Sequence, residues 1–111
     1  MFAFEIPGGR FSMPAGAEIE RHRFVSINAN SAGIPATAST QIVGVSMNKV
    51  KADQVLEIAD GIVMVEASAA INAGAAVYST ADGRAAASGT IIAGIALTGA
   101  TAAGDIITVK V

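Results

Sequence analysis

A chain of 111 residues fits one domain, long enough to bury about 60–70 % of its unfolded surface. Charged residues are sparse at 14 %, the formal net charge is −2, and no basic run is present, which excludes electrostatic attraction to nucleic acid as the basis of function. The absence of cysteine rules out disulfides and thiolate metal sites, and no apolar run approaches the ~18–20 residues of a membrane span.

Isoleucine and valine together number 23, against two leucines, Leu56 and Leu97. β-Branched side chains lose rotamer freedom in a helix but pack well on a pleated surface, so the composition predicts strands. The 24 alanines inflate the hydrophobic fraction of 52 % without adding much buried area, at roughly 25 cal/mol per Å². The core must come from Ile, Val, Phe and Met, and its modest size predicts a homo-oligomer. The expected fold is all-β: a small single-domain barrel or sandwich of short antiparallel strands and hairpins, residues 15–111, preceded by an N-terminal arm, residues 1–14.

Within that arm Phe2, Phe4 and Ile6 share one face of a short strand. Pro7, Gly8 and Gly9 then break the chain, and Pro14 breaks it again. Two readings fit: an ordinary edge strand, or an interaction arm hinged at Pro7-Gly8-Gly9 that docks on a neighbour. The segment from Met1 to Pro7 has no basic start and carries Glu5, which argues against a secretory signal peptide.

Glu18, Glu20 and His22 alternate with Ile19, Arg21 and Arg23, and Val25 and Ile27 carry the strand into a turn-rich cluster, Asn28 to Gly33. His22, between two arginines, is read as a surface residue, and a single histidine does not make up a metal site or triad. A strand from Ile42 to Met47 follows. The dipeptide Asp60-Gly61 between Gln54–Ala59 and Ile62–Glu66 predicts a hairpin turn, which would place Leu56, Ile58, Val63 and Val65 on one face. Ser68 to Ala76 permits about one helical turn before Asn72 and Gly74 intervene. Asp82-Gly83 predicts a second hairpin, between Val77–Thr80 and Arg84–Ala87. Ile91, Ala93, Ile95 and Leu97 are expected on one face of the next strand. Gly104 ends the loop that opens the last strand, where Ile107, Val109 and Val111 share a face.

An internal echo accompanies these elements. Gly33 and Thr40 to Val45 resemble Gly83 and Thr90 to Ile95, displaced by fifty residues. Two readings fit: a barrel or sandwich with pseudo-symmetric halves, or convergence of two Ala- and Gly-rich strands.

No constellation spaced for chemistry accompanies this pattern. There is no phosphate-binding glycine loop ending in Lys-Ser/Thr, no dinucleotide fingerprint and no nucleophile elbow. The nine carboxylates are scattered, and Asp60, Asp82 and Asp105 occupy turn positions where Asp bonds its local backbone. Hence no catalytic, cofactor-binding or metal-ligating residue is assigned, no cofactor is expected and the chain is not expected to be an enzyme. The residues singled out are the arm, Phe2, Phe4 and Ile6, and the structural turns, Asp60, Gly61, Asp82, Gly83 and Gly104.

The order Asp60-Gly61-Ile62-Val63, Ala70-Ile71-Asn72-Ala73-Gly74, Val77-Tyr78, Asp82-Gly83 and Ile92 to Leu97, then Ala102-Ala103-Gly104-Asp105 leading to Val109, resembles tailed-bacteriophage capsid cement (head decoration) proteins. Pro14 to Val25 and Ile42 to Met47 look like the opening of the same family, so the resemblance spans nearly everything after Met13. Ala75 stands where such proteins often carry Asp, and the Phe-rich arm has no match in the pattern. The resemblance implies a protein on the capsid exterior of the virion, made in the cytoplasm of the bacterial host. It would bind the major capsid protein, assemble with itself, trimer favoured over dimer, and stabilise the lattice. Neither nucleic acid nor membrane is an expected partner. The alternative is a non-enzymatic ligand-binding or adhesin-like β module on a virion or cell surface.

Overall fold

The computed structural model describes residues 6–28, 30–33 and 41–111, with Ile6 and Pro7 described by their backbone alone. Among these residues there are nine strands and no helix. They are β1 (Ile6–Pro14), β2 (Phe24–Asn28), β3 (Ser31–Gly33), β4 (Gly44–Ser46), β5 (Val55–Glu66), β6 (Ala76–Ser79), β7 (Ala85–Ala86), β8 (Ile91–Ala96) and β9 (Ile106–Lys110). All pair antiparallel in one sheet curled into a half-barrel, ordered β3-β2-β4-β5-β9-β8-β6-β7, with β1 joining β5 off that path. The all-β expectation holds. The helix-permissive stretch after Ser68 forms no helical turn, since Ile71 bridges Ala100 and Gly74 adopts a positive φ.

The expected Asp60-Gly61 hairpin is not formed. Both residues lie inside β5, which runs unbroken for 12 residues. Ala59 pairs with Arg10 of β1 and with Val45 of β4, and Ile62 pairs with both Ile6 and Lys110 of β9. Three other strands therefore supply the bonds that a hairpin would have drawn from β5 itself. Gly61 does take a positive φ of 89°, but it serves a bend within the strand, opposite a bulge in β1 between Pro7 and Gly9. That bulge also replaces the expected hinge. Alternation along a continuous strand then separates the four residues expected on one face. Leu56 and Ile58 enter one core cluster, Val63 and Val65 another.

Residues 6–14 likewise do not stand apart from the domain. They are β1, laddered to β5 from Ile6↔Ile62 to Pro14↔Val55. Met13 packs on the core formed by Leu56, Ile58 and Ile19, which gives the strand an intramolecular place. Phe2 and Phe4 lie outside the described residues.

The ladders reveal a duplication deeper than the echo in the sequence. In the first half Phe24↔Val45 and Val25↔Gly44 join β2 to β4, and in the second Ala76↔Ile95 and Val77↔Gly94 join β6 to β8. Ile27↔Ala32 has its counterpart in Ser79↔Ala85, and Val45↔Ala59 in Ile95↔Lys110. Met13↔Leu56 corresponds to Val65↔Ile107. Even the isolated bridges repeat: Ala15↔Ala32 and Ile19↔Val50 reappear as Ala67↔Ala85 and Ile71↔Ala100. The chain is two five-stranded units in tandem. β5 is shared, its first half closing unit one and its second half opening unit two.

The two core clusters follow from this plan. Ala15, Ile19, Val25, Ala32, Val50, Leu56 and Ile58 form the inner core of unit one. Their counterparts Ala67, Ile71, Val77, Ala85, Ala100, Ile107 and Val109 form that of unit two. The second cluster also contains Phe24, Val45 and Ala59, with Ile42 and Met47 packed against it. These come from unit one, whose outer face thus covers the inner core of unit two.

Gly61 offers a direct test of the bend in β5. Because a Cβ at φ 89° meets the following carbonyl, Gly61→Val is expected to cost about 1–2 kcal/mol and to lower the melting temperature. Glu57→Gln should change it little, since the Glu57 carboxylate makes only a solvent-exposed ion pair with Arg10, worth about 0–1 kcal/mol. Equal shifts from the two substitutions in thermal melts would show that Gly61 is not conformationally required.

Candidate interaction surface

Among the described residues the densest polar constellation is an ion-pair ring where the two units meet. Arg23, just ahead of β2, reaches Glu66 at 3.5 Å and Asp82 at 3.7 Å. Arg84 reaches the same two carboxylates at 3.5 and 2.9 Å. Asp82 and Gly83 sit in the turn joining β6 to β7. There the Gly83 N–H donates to the Thr80 carbonyl at 3.1 Å and Gly83 has a φ of 83°, the geometry of a three-residue loop with a bulged glycine. The tip is also held by main chain, because the Phe24 N–H donates to the Gly83 carbonyl at 2.7 Å. Each charge faces opposite charges, while the buried Arg23 Nε has no hydrogen-bond partner among the described residues. The ring fastens a turn of unit two to unit one.

Gly104, with a φ of 93°, lies in the loop ahead of β9, where Asp105 caps the turn. One carboxylate oxygen, Oδ2, accepts the Thr101 N–H at 2.9 Å, the Thr101 hydroxyl at 3.0 Å and the Ala102 N–H at 3.3 Å. The Thr101 donors and the Ala102 amide hold the Asp105 carboxyl below the usual carboxylate range. At Asp82 partial burial opposes ionisation. The Thr80 hydroxyl bond and the Arg84 charge and hydrogen bonds outweigh it, and the net shift is again downward.

Carboxyls with folded pKa values below their unfolded ones stabilise the fold above the unfolded pKa, about 3.9 for Asp. That stability is lost as pH falls through the folded value. The melting temperature is therefore expected to be level from neutral pH to about pH 5 and to drop below about pH 4. In Asp82→Asn/Asp105→Asn the neutral plateau should sit lower and the acid limb should flatten. An unchanged acid limb in that variant, followed by circular dichroism against pH, would refute the assignment.

Among the described residues no group of three or more His, Asp or Glu side chains is placed to hold a metal ion. The surface instead exposes apolar side chains: Phe11 on β1, Ile27 on β2, Val55 on β5, and Ile92, Ile95 and Leu97 on and just after β8. Ile91, Ala93, Ile95 and Leu97 do not share a face as expected. Val77 pairs with Gly94 while Tyr78 pairs with Ile92, so Ala93 is an extra residue that shifts the alternation by one. Ile91 and Ala96 turn inward, while Ile92, Ile95 and Leu97 remain outside. Gly94, a break in an otherwise apolar run, is the trace of this bulge that the sequence carries.

Of the arm residues only Ile6 is described, as backbone paired to Ile62. Asp60 and Gly61 belong to mid-β5, Asp82 and Gly83 to the inter-unit turn, and Gly104 to the loop before β9.

This two-unit sheet matches known proteins. A family model described as phage cement protein matches residues 7–111. The chain belongs to that family. Membership carries a capsid-associated structural role and a place on the virion, in agreement with the resemblance noted from Asp60 to Val111. No curated protein matches the chain. Among solved structures, the crystal structure of the head fiber gp8.5 N base of bacteriophage phi29 is similar in fold. Its TM-score is 0.75 at 16 % identity, and the match covers 91 % of this chain and 91 % of that one.

Proposed function

We propose that this cement-family protein binds the outer surface of a phage head and stabilises the capsid lattice, without enzymatic activity. Its partners in this reading are the major capsid protein and further copies of itself, a trimer favoured over a dimer, and it is made in the host cytoplasm before docking. The observation that carries the reading is the family match over residues 7–111. The physics is consistent with it. A cement works by burying surface between capsomers, and anything that binds only the assembled lattice stabilises that lattice by mass action.

Incubating the pure protein with undecorated heads should give saturable, multi-copy binding and raise the temperature at which heads release their DNA. Absence of binding to heads of the phage that encodes it would overturn the reading. Residues 1–5, with Phe2 and Phe4, are the proposed docking arm, acting with Ile6 at the start of β1. Deleting residues 1–5 should leave the melting temperature unchanged and weaken head binding several-fold. A deletion that unfolds the domain would make these residues part of its own sheet, as residues 6–14 already are.

A further inference from the structure

The duplication allows each surface of one unit to be compared with its counterpart in the other. The outer face of unit one, Phe24, Val45 and Ala59, is fully buried because it covers the inner core of unit two. The register places Ala76, Ile95 and Lys110 at the corresponding positions of unit two, and the alignment of β4 with β8 pairs Ile42 with Ile92 and Met47 with Leu97. This second face is open: Ile92 is 66 %, Ile95 49 % and Leu97 39 % exposed. The complementary gap lies at unit one. Val63 and Val65 are sealed at 0 % under Phe24 and its neighbours, whereas their counterparts on β1 are Phe11, 41 % exposed, and Met13, half-buried. The outer face of unit two has nothing to cover, and the Phe11–Met13 edge of unit one lacks the cover that Val63 and Val65 have, while the rest of that core is sealed within the chain.

We infer that the outer face of unit two, Ile92, Ile95 and Leu97, docks on the Phe11–Met13 side of unit one in a second copy of this chain. The contact would repeat between chains the packing already present between the units. This rests on the self-association named in the proposed function and specifies the surfaces that make it. The relation between the units is heterologous: outer face meets inner core, and the reciprocal pair of surfaces remains unused within the chain. A two-fold relation would have closed both contacts at once. Repeating a heterologous contact therefore joins chains head to tail, and closes a ring where the rotation permits. Lys110, in place of Ala59, is exposed beside Ile95, where a lysine stem can cover apolar surface while its ammonium stays in water.

The chain lacks cysteine, so single thiols can be introduced at Phe11 and Ile95, both exposed positions. A mixture of the Phe11→Cys and Ile95→Cys proteins, treated with a short bismaleimide, should give covalent dimers that neither variant gives alone. Ile95→Asp should keep the monomer's circular dichroism and melting temperature and weaken self-association at least tenfold in sedimentation velocity. Dimers of Ile95→Cys with itself would show a two-fold contact and overturn the inference. So would an oligomer indifferent to Ile95→Asp, which would leave self-association standing through another surface. A wild-type protein that stays monomeric at its highest soluble concentration would overturn both the inference and self-association in solution. Head binding by Ile95→Asp, measured separately, reports on the capsid reading alone.

Discussion

Phe24→Ala is expected to cost about 3–5 kcal/mol, the range for truncating a buried aromatic ring. Phe24 is the largest of the fully buried side chains among the described residues and sits with Val45 and Ala59 on the core of unit two. Its truncation opens a cavity at the seam between the units, where β5 runs through and the neighbouring strands cannot collapse independently. Against a total stability of about 5–15 kcal/mol, such a loss removes a fifth or more. At roughly 4–8 °C per kcal/mol the melting temperature should fall by more than 10 °C. The register supplies an internal control. Ala76, the counterpart of Phe24, is exposed, so Ala76→Gly or Ala76→Ser should shift the melting temperature by far less. A Phe24→Ala protein that melts within a few degrees of wild type would mean that the units do not seal each other.

How much of this architecture was legible before the structure depends on where the deciding interactions lie. β-Branched content and period-two alternation are local, and they identify strands correctly. The turn at Asp82-Gly83 was legible because its bonds are made within the hairpin itself, from Thr80 to Arg84. Asp60-Gly61 carries the same local pattern and folds differently, because β1, β4 and β9 claim the edges of β5 from elsewhere in the chain. A trace of this was present. The buried positions of β5 change from Leu56 and Ile58 to Val63 and Val65, a switch of parity that a continuous strand shows when it passes between two cores.

The duplication was visible only as an echo of Ala- and Gly-rich strands. The units keep their hydrogen-bond register while exchanging side chains: His22, Asn30 and Asp53 hold left-handed positions that Gly74, Gly83 and Gly104 hold in the second unit. At these three positions backbone geometry survives the exchange and residue identity does not. The candidate surface was harder to read, because the exposure of Ile92, Ile95 and Leu97 depends on a one-residue bulge and on unit one covering unit two rather than the reverse. The bulge leaves only Gly94 as a trace in the local pattern, and the covering of one unit by the other leaves none.

Gly44 and Gly94 are a position at which both units retain glycine because the backbone demands it, and Gly44→Ala or Gly94→Ala should be correspondingly severe. Both positions occupy the same place in the duplicated ladder, opposite Val25 and Val77 respectively. A Cβ on Gly44 would stand 2.5 Å from the Ala59 carbonyl oxygen and 2.7 Å from the Ile58 Cγ2. On Gly94 it would stand 2.0 Å from the Lys110 carbonyl oxygen and 2.9 Å from its carbon. The obstruction is main chain, and that main chain has little room to retreat. Ala59 is paired on its other side with Arg10, and Lys110 with Ile62. Relief must come from spreading β4 from β5, or β8 from β9, with loss of ladder bonds. Each substitution is expected to cost about 2–3 kcal/mol, the upper part of the range for overpacking. Gly33→Ala is the control, since a Cβ there meets nothing within 4 Å, and it should stay within about 0.5 kcal/mol of wild type. Urea unfolding at constant m-value measures all three. The double variant Gly44→Ala/Gly94→Ala should show near-additive loss, because the sites lie in different units with no shared partner. Tolerance of alanine at either glycine would mean that the strands stand further apart than this sheet places them, and the register that defines the duplication would have to be redrawn.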